Sequence, residues 1–449
     1  MMHLDFLLDV FRRSSDKEAV VWRDQTSSYA WLADAVETWT RFLRDRRLAP
    51  GTVVSLEADF SPTAIGLLLA LVNQGAIIVP LTPSVEAKKP EFRKIAQVEA
   101  TISVAGDDRA HLANTGVEAT HELIAGVRTA GRPGLVLFSS GSTGTSKAAI
   151  HDFVPLLEKF KVPRHSLRTL TFLLFDHIGG VNTLLYVLSN AGCVVTVPNR
   201  SPDLVCAAIE KHRVQLLPTS PTFINLLLAS EAYQHHDLSS LEVVTYGTEV
   251  MPASTLERFH RLFPRVRLQQ TYGLSEVGIL RAQSKSADSL WVKVGGDGFE
   301  TRIVDGMLQI RARSAMLGYL NAPSPFTADG WLPTGDAVDV DGEYLRIRGR
   351  QSELINVGGE KVYPAEVESV LQIMEGVKDV TVSGEANPIT GQMVTARIKL
   401  STAETLSEFR KRMRLFCADK LPAFKIPQKV ALVDNAMHGE RFKKMRRVS

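Results

Sequence analysis

Between residues 139 and 147 the sequence reads SSGSTGTSK. Ser139, Ser140, Ser142, Thr143, Thr145 and Ser146 bring hydroxyl groups, Gly141 and Gly144 lack a Cβ, and Lys147 carries a positive charge. Backbone N–H groups not used in a helix or sheet can converge on an oxyanion, and glycine allows the φ values and close approach that this requires. The stretch therefore predicts a phosphate cradle, with a solvent loop as the plainer reading.

A nucleotide-binding P-loop of the form GxxxxGK[ST] is the nearest general pattern. Counted from Gly141 it demands Gly at 146 and Ser or Thr at 148, where the sequence has Ser146 and Ala148. The hydroxyl that contacts Mg²⁺ in that pattern is thus missing. The next residues, AAIHDF, also look extended, whereas the Lys of a P-loop opens a helix.

The run SSGSTGTSKA resembles instead the TSGSTGxPKG signature of the adenylate-forming superfamily of acyl-CoA synthetases, carrier-protein-linked adenylation domains and firefly-type luciferases. Ser146 and Ala148 depart from it. YGTEV at 246–250 resembles the strand-end segment that borders adenine in that family, implicating Gly247, Thr248 and Glu249, while the backbone after Tyr246 is expected to wall the acid pocket. TYGLSE at 271–276 resembles its YGxTE motif. By that resemblance Thr271, Tyr272 and Gly273 border the nucleotide, Tyr272 stacks near adenine, Ser275 contacts the α-phosphate and Glu276 holds Mg²⁺.

PTGD at 333–336 matches the family's TGD, giving Asp336 the ribose hydroxyls, and GRQSELINVGGEKVYPAEVE at 349–368 resembles the segment joining a large domain to a small one. Arg350 is expected at the ribose, Ser352 at the hinge, and Gly358 and Gly359 along a thiol tunnel, with a simple tight turn as the alternative for the two glycines. The end of the chain, GERFKKMRRVS, resembles the last motif. Anchored on Arg446 and Arg447, it puts the catalytic Lys at Lys443 and Phe442 where the family has Gly; a slip of one residue would give Lys444.

FDHIGGVNT at 175–183 resembles the segment bordering the acid, with His177 as a candidate wall and Gly179 and Gly180 leaving room for a bulky group. The resemblance implies ATP, Mg²⁺ and CoA as cofactors and a small carboxylic acid as substrate. The acid joins AMP with release of pyrophosphate, and the acyl group passes to the thiol of CoA. Transfer to the phosphopantetheine arm of an acyl carrier protein, a degenerate acyl-adenylate-binding module without turnover, and a P-loop NTPase switch are the other readings.

Positioning such residues calls for particular elements. Runs such as TVVSL, AIIVPL, LVLFSS, CVVTVP and LEVVTY alternate with the helical patterns PTAIGLLLALVNQ and PDLVCAAIEKH from about residue 15 to 300, predicting α/β layers with parallel strands. After 300 short strands and polar turns predict a β-rich subdomain. From 350 onward a small α+β unit is expected. In it, Pro364 opens a helix with Val367, Val370, Leu371 and Met374 on one stripe. Thr405 and Glu408 form a capping box for a second helix burying Leu406, Phe409, Met413, Phe416 and Cys417. The expected division is a large N-terminal domain over 1–348 and a mobile C-terminal domain over 349–449.

The 449 residues, 45% hydrophobic and 22% charged, describe a globular chain, and a net charge of +3 singles out no nucleic-acid partner. The cysteines Cys193, Cys206 and Cys417 are scattered in apolar contexts, which predicts neither disulfides nor a metal site and suggests the cytoplasm. MMHLDFLLDVFRR interrupts its apolar run with Asp5 and Asp9, as an amphipathic helix does and a signal peptide does not. The most apolar stretch, 64–81, is broken by Asn73, Gln74 and Pro80 and reads as a buried helix turning into a strand, with no membrane span.

Overall fold

The computed structural model describes residues 3–140, 146–439 and 442–446. Among them lie three seven-stranded sheets and one of five strands. In the first, Val53–Glu57, Ile77–Leu81, Ala100–Val104 and Gly134–Ser140 run parallel, and Ser146–Asp152 folds back antiparallel on Gly134–Ser140. The helix Pro62–Gln74 links the first two of these strands and is apolar on nearly every side because it lies between layers. Ser61 caps its start through the Ala64 N–H, and Gly75, at φ +75°, ends it in the left-handed region that glycine adopts without strain.

The second sheet is ordered Arg267–Gln270, Val243–Tyr246, Leu216–Thr219, Arg168–Leu170, Cys193–Val195, Glu18–Trp22 and Gln25–Ser28. All of its neighbours pair parallel except the last hairpin. The hairpin of Glu18–Trp22 and Gln25–Ser28 thus enters a sheet otherwise made from residues beyond 167. The predicted α/β layers are therefore present, as is the amphipathic helix Asp5–Arg13, which buries Leu7, Leu8 and Phe11.

The third sheet is antiparallel and runs from Tyr272–Leu274 to Tyr344–Arg350. The β-rich part therefore begins earlier than the expected residue 300. Its strand Gly278–Ser284 alternates in burial and carries no long apolar run to announce it.

Past Gln351–Glu353 the chain enters the fourth sheet, on which the helices Pro364–Gln372 and Leu406–Cys417 pack. Pro364 occupies the first turn and Thr405 with Glu408 closes the expected capping box. Leu406 does not join the buried face; it is 41% exposed, while Phe409, Met413 and Cys417 are covered. The three cysteines are buried and unpaired. No described helix is long and apolar enough to cross a membrane.

Candidate active site

A cavity of about 650 Å³ opens where the second and third sheets, the hairpin of the first sheet and the C-terminal segment converge. That size lies within the roughly 300–1,000 Å³ of small-molecule sites. The carboxyl ends of parallel strands are the natural place for such a crevice, since the loops beyond them cannot continue the sheet. Here Thr219, Gly247 and Thr271 reach the cavity from the ends of Leu216–Thr219, Val243–Tyr246 and Arg267–Gln270.

Its polar wall holds Ser139, Lys147, Thr248, Gly273, Ser275, Glu276 and Arg350. Ser139 and Lys147 face each other in register across the hairpin, and Ser140 pairs with Ser146. Gly141, Ser142, Thr143, Gly144 and Thr145 lie outside the described residues. Lys147 sits in the strand Ser146–Asp152 rather than at the start of a helix, which removes the P-loop NTPase reading. The Lys147 ammonium lies 5.1 Å from the centre of the Tyr319 ring.

Sequence reasoning missed the framework that holds this wall. The Tyr319 hydroxyl donates to Glu276 Oε1 at 2.6 Å, and burial together with that carboxylate pushes the phenol far up. Asn321 accepts from the Ala148 N–H and donates to the Ser146 carbonyl, both at 2.9 Å. Met316 N–H meets the Glu276 carbonyl at 2.7 Å. His151, fully buried, has Nε2 2.7 Å from the Ser275 carbonyl. A histidine in an apolar strand was the only available hint, and it reads equally as core.

Asp336 stands behind the wall, 6% exposed, accepting from the Tyr272 hydroxyl and 3.3 Å from Arg350 Nε. Burial pushes its carboxyl up and Arg350 pulls it partway back. Several expected site residues face elsewhere. Tyr272 is packed in the core of the third sheet rather than presented as a stacking surface, and Tyr246 is buried in the core of the second. A strand alternates its side chains, so a motif at a strand end delivers only every second one to the crevice.

Glu249 turns away to accept from the Thr222 hydroxyl at 2.5 Å and the Lys444 N–H at 2.6 Å. Gly358 and Gly359 form the exposed tight turn between Ile355–Val357 and Glu360–Val362, with φ of +60° and +95°, and line no part of this cavity. Gly180 leaves no room for a ligand: a Cβ there would meet the Leu174 carbonyl oxygen at 1.9 Å, so the glycine serves a backbone crossing.

The apolar wall is built from Phe172, Leu173, Leu174, Ile178, Ile279 and Phe442, joined by His177 and Gly179 at the start of the helix Ile178–Ser189. Lys443 also lines the cavity. Lys444 points the other way, its Nζ 2.7 Å from the Val380 carbonyl and 3.5 Å from Glu368. Of the two candidate lysines, only Lys443 opens on the cavity.

Comparison with known proteins shows which proteins the chain is similar to. An indoleacetate–CoA ligase of Aromatoleum aromaticum is 28% identical over 476 residues, covering 93% of this chain and 91% of that protein. A 4-coumarate–CoA ligase-like protein of Arabidopsis thaliana is 29% identical over 330 residues, 66% of this chain and 57% of its own length. The crystal structure of the anthranilate CoA ligase AuaEII in complex with anthranoyl-AMP shares the fold, with a TM-score of 0.81 and 20% identity over 99% of this chain and 95% of that one. The family model for AMP-binding enzymes matches residues 8–130 and 96–320, and that for the AMP-binding enzyme C-terminal domain matches 366–443. The first of these models spans more than half of the chain, and both matched regions contribute residues to the cavity: the chain belongs to the AMP-binding enzyme family.

Proposed function

We propose that the chain is an ATP-dependent, AMP-forming acid–CoA ligase. One observation carries the reading: Lys147 and Glu276 from the large domain and Lys443 from the C-terminal segment line one cavity whose other wall is apolar. A carboxylate cannot acylate a thiol directly, because oxide would have to leave. Its oxygen attacks the α-phosphorus of ATP, the bond to the bridging oxygen breaks, and pyrophosphate departs. The CoA thiolate then attacks the acyl carbon and AMP leaves.

Both steps ask the protein to position reactants and neutralise oxyanions. Lys147 and the hydroxyls beginning at Ser139 hold the β- and γ-phosphates, Ser275 contacts the α-phosphate, and Lys443 bridges the incoming carboxylate and that same phosphate. Arg350 and Asp336 serve the ribose, with Gly247, Thr248, Thr271 and Gly273 around the base. His177 and Gly179 border the acid.

The donor set suits Mg²⁺ arriving with the nucleotide. Among the described residues no group of three His, Cys, Asp or Glu forms a protein cage, and Mg²⁺ is commonly held by one or two carboxylates plus phosphate oxygens. Glu276 offers one, with Tyr319 fixing its other oxygen. Bound there, Mg²⁺ supplies further neutralisation of phosphate charge.

With Lys443 at the cavity, the arrangement described suits the first step. For the second, the small domain turns about Ser352, withdraws Lys443 and brings the Gly358–Gly359 turn towards the thiol. ATP and CoA as substrates fit a cytoplasmic enzyme.

Exchange of labelled pyrophosphate into ATP tests the proposal. It is expected to depend on an added acid, surveyed over aryl, short-chain and long-chain classes, and CoA is expected to consume the acyl-AMP in preference to an acyl carrier protein. An exchange rate that no acid raises above background would sink it.

A further inference from the structure

We propose that Phe442 is the positioning residue of Lys443, its ring acting as the anchor that fixes the backbone from which the lysine enters the cavity. The inference rests on the proposed role of Lys443 in acyl-AMP formation. The backbone of Phe442 has φ +49°, in the left-handed region that a residue with a Cβ adopts only at a cost. Such a conformation persists where the surroundings over-determine it, and here they do.

The Phe442 ring centre lies 5.0 Å from that of Phe172, 5.4 Å from Phe223 in an edge arrangement, and 5.2 Å from the His438 imidazole. Phe172 and Phe223 are both buried in the large domain. The cluster spans the boundary, joining the C-terminal segment to the core of the second sheet by aromatic contacts of favourable geometry.

The main chain on either side of Lys443 is tied as well. Ser220 Oγ donates to the Phe442 carbonyl at 2.7 Å, the Phe442 N–H donates to Gly439 at 2.9 Å, and the Lys444 N–H donates to Glu249 at 2.6 Å. With the ring seated, the backbone from which Lys443 projects is held in one position. Without the ring, the short hydrogen bonds must hold the segment against a flexible chain. Because Phe442 and Phe172 both line the cavity, the anchor is also part of the wall beside the lysine.

The test compares F442G, which removes both the ring and the backbone cost, with F442L, which keeps apolar bulk. Acid-dependent pyrophosphate exchange is expected to lose at least tenfold in kcat for F442G with the KM for ATP changed less than twofold, and F442L is expected to recover most of the loss. In parallel, tryptic cleavage between Lys443 and Lys444, read by mass spectrometry, is expected to quicken at least fivefold in F442G at unchanged Tm. A wild-type cleavage rate in F442G overturns the proposal whatever the turnover shows. Wild-type kcat in F442G, where Lys443→Ala has lost exchange, overturns it while leaving the ligase reading intact. Absence of exchange in the unmutated enzyme falsifies that reading alone, since the cleavage rate still decides the role of Phe442.

Discussion

His151 Nε2 lies 2.7 Å from the carbonyl oxygen of Ser275, at a site with no exposure to solvent. A carbonyl only accepts, so Nε2 carries the proton; burial holds the imidazole pKa below its ordinary value, and the ring is neutral. The strand carrying Lys147 is in this way fastened to the segment bearing Ser275 and Glu276.

His151→Leu leaves that buried carbonyl without its donor, a loss of about 1–3 kcal/mol. The expected outcome is a drop of roughly tenfold in exchange activity with a higher Mg²⁺ requirement, partly restored in His151→Gln, whose amide can donate. A Mg²⁺ titration of the three proteins checks it; equal curves would dismiss the connection.

Lys443→Ala and Lys444→Ala are expected to separate. The first abolishes acyl-AMP formation yet leaves thioester formation from a supplied acyl-adenylate largely intact. The second removes a cation from the buried Glu368 and lowers stability more than chemistry. Measuring both half reactions and the melting of each variant distinguishes them, and equal loss of both half reactions in Lys443→Ala would refute its assigned role.

Glu368 predicts an acid limit for the small domain. Burial alone would raise its pKa, but Lys444, Arg446 and the Val382 N–H outweigh that and hold it at about 2, from an ordinary 4.5. A depressed carboxylate contributes stability that is present above 4.5 and fades as pH falls towards 2. The shift corresponds to on the order of 3 kcal/mol. Thermal unfolding between about pH 2 and 7 should show this slope, and Glu368→Gln should flatten it while costing about 3–5 kcal/mol at neutral pH by stranding the buried cations. A Gln variant with the original slope would exclude Glu368 as its source.

Gly180→Ala is expected to destabilise the protein by about 1–3 kcal/mol or more, because the new Cβ meets backbone 1.9 Å away. The start of the helix carrying His177 and Ile178 must then shift, raising the KM for the acid. Gly179→Ala meets only the flexible Leu173 side chain, at 2.8 Å, and should be milder. Melting curves and acid titrations of the pair decide it; identical behaviour would contradict the geometry.

The layers, the buried helix at 62–74, the capping box at Thr405 and the small domain were all legible from periodicity and end signals. These are local properties, and the structure keeps them. Which way a motif residue faces was not legible. Gly247 and Thr271 reach the cavity while their neighbours Tyr246 and Tyr272 enter cores, because alternation along a strand is set by register with a partner far away in sequence. Glu249 answers a distant segment, the Lys444 N–H, and Gly180 answers the turn just before its helix, where a Cβ would meet the Leu174 carbonyl. His151, Tyr319 and Asn321 belong to no motif quoted for the site, and only the folded contacts reveal them.

The strand Glu18–Trp22 has its own consequence for how the molecule is made. Val20 and Val21 pair in register with Val194 and Val195. On a ribosome they emerge long before those partners exist, leaving an apolar edge that needs shelter from other nascent chains. The helix Tyr29–Asp45, which packs on Pro62–Gln74, ties the same early segment to the other layer. The first two sheets are therefore coupled in assembly, since the earliest part of the chain is built into both layers.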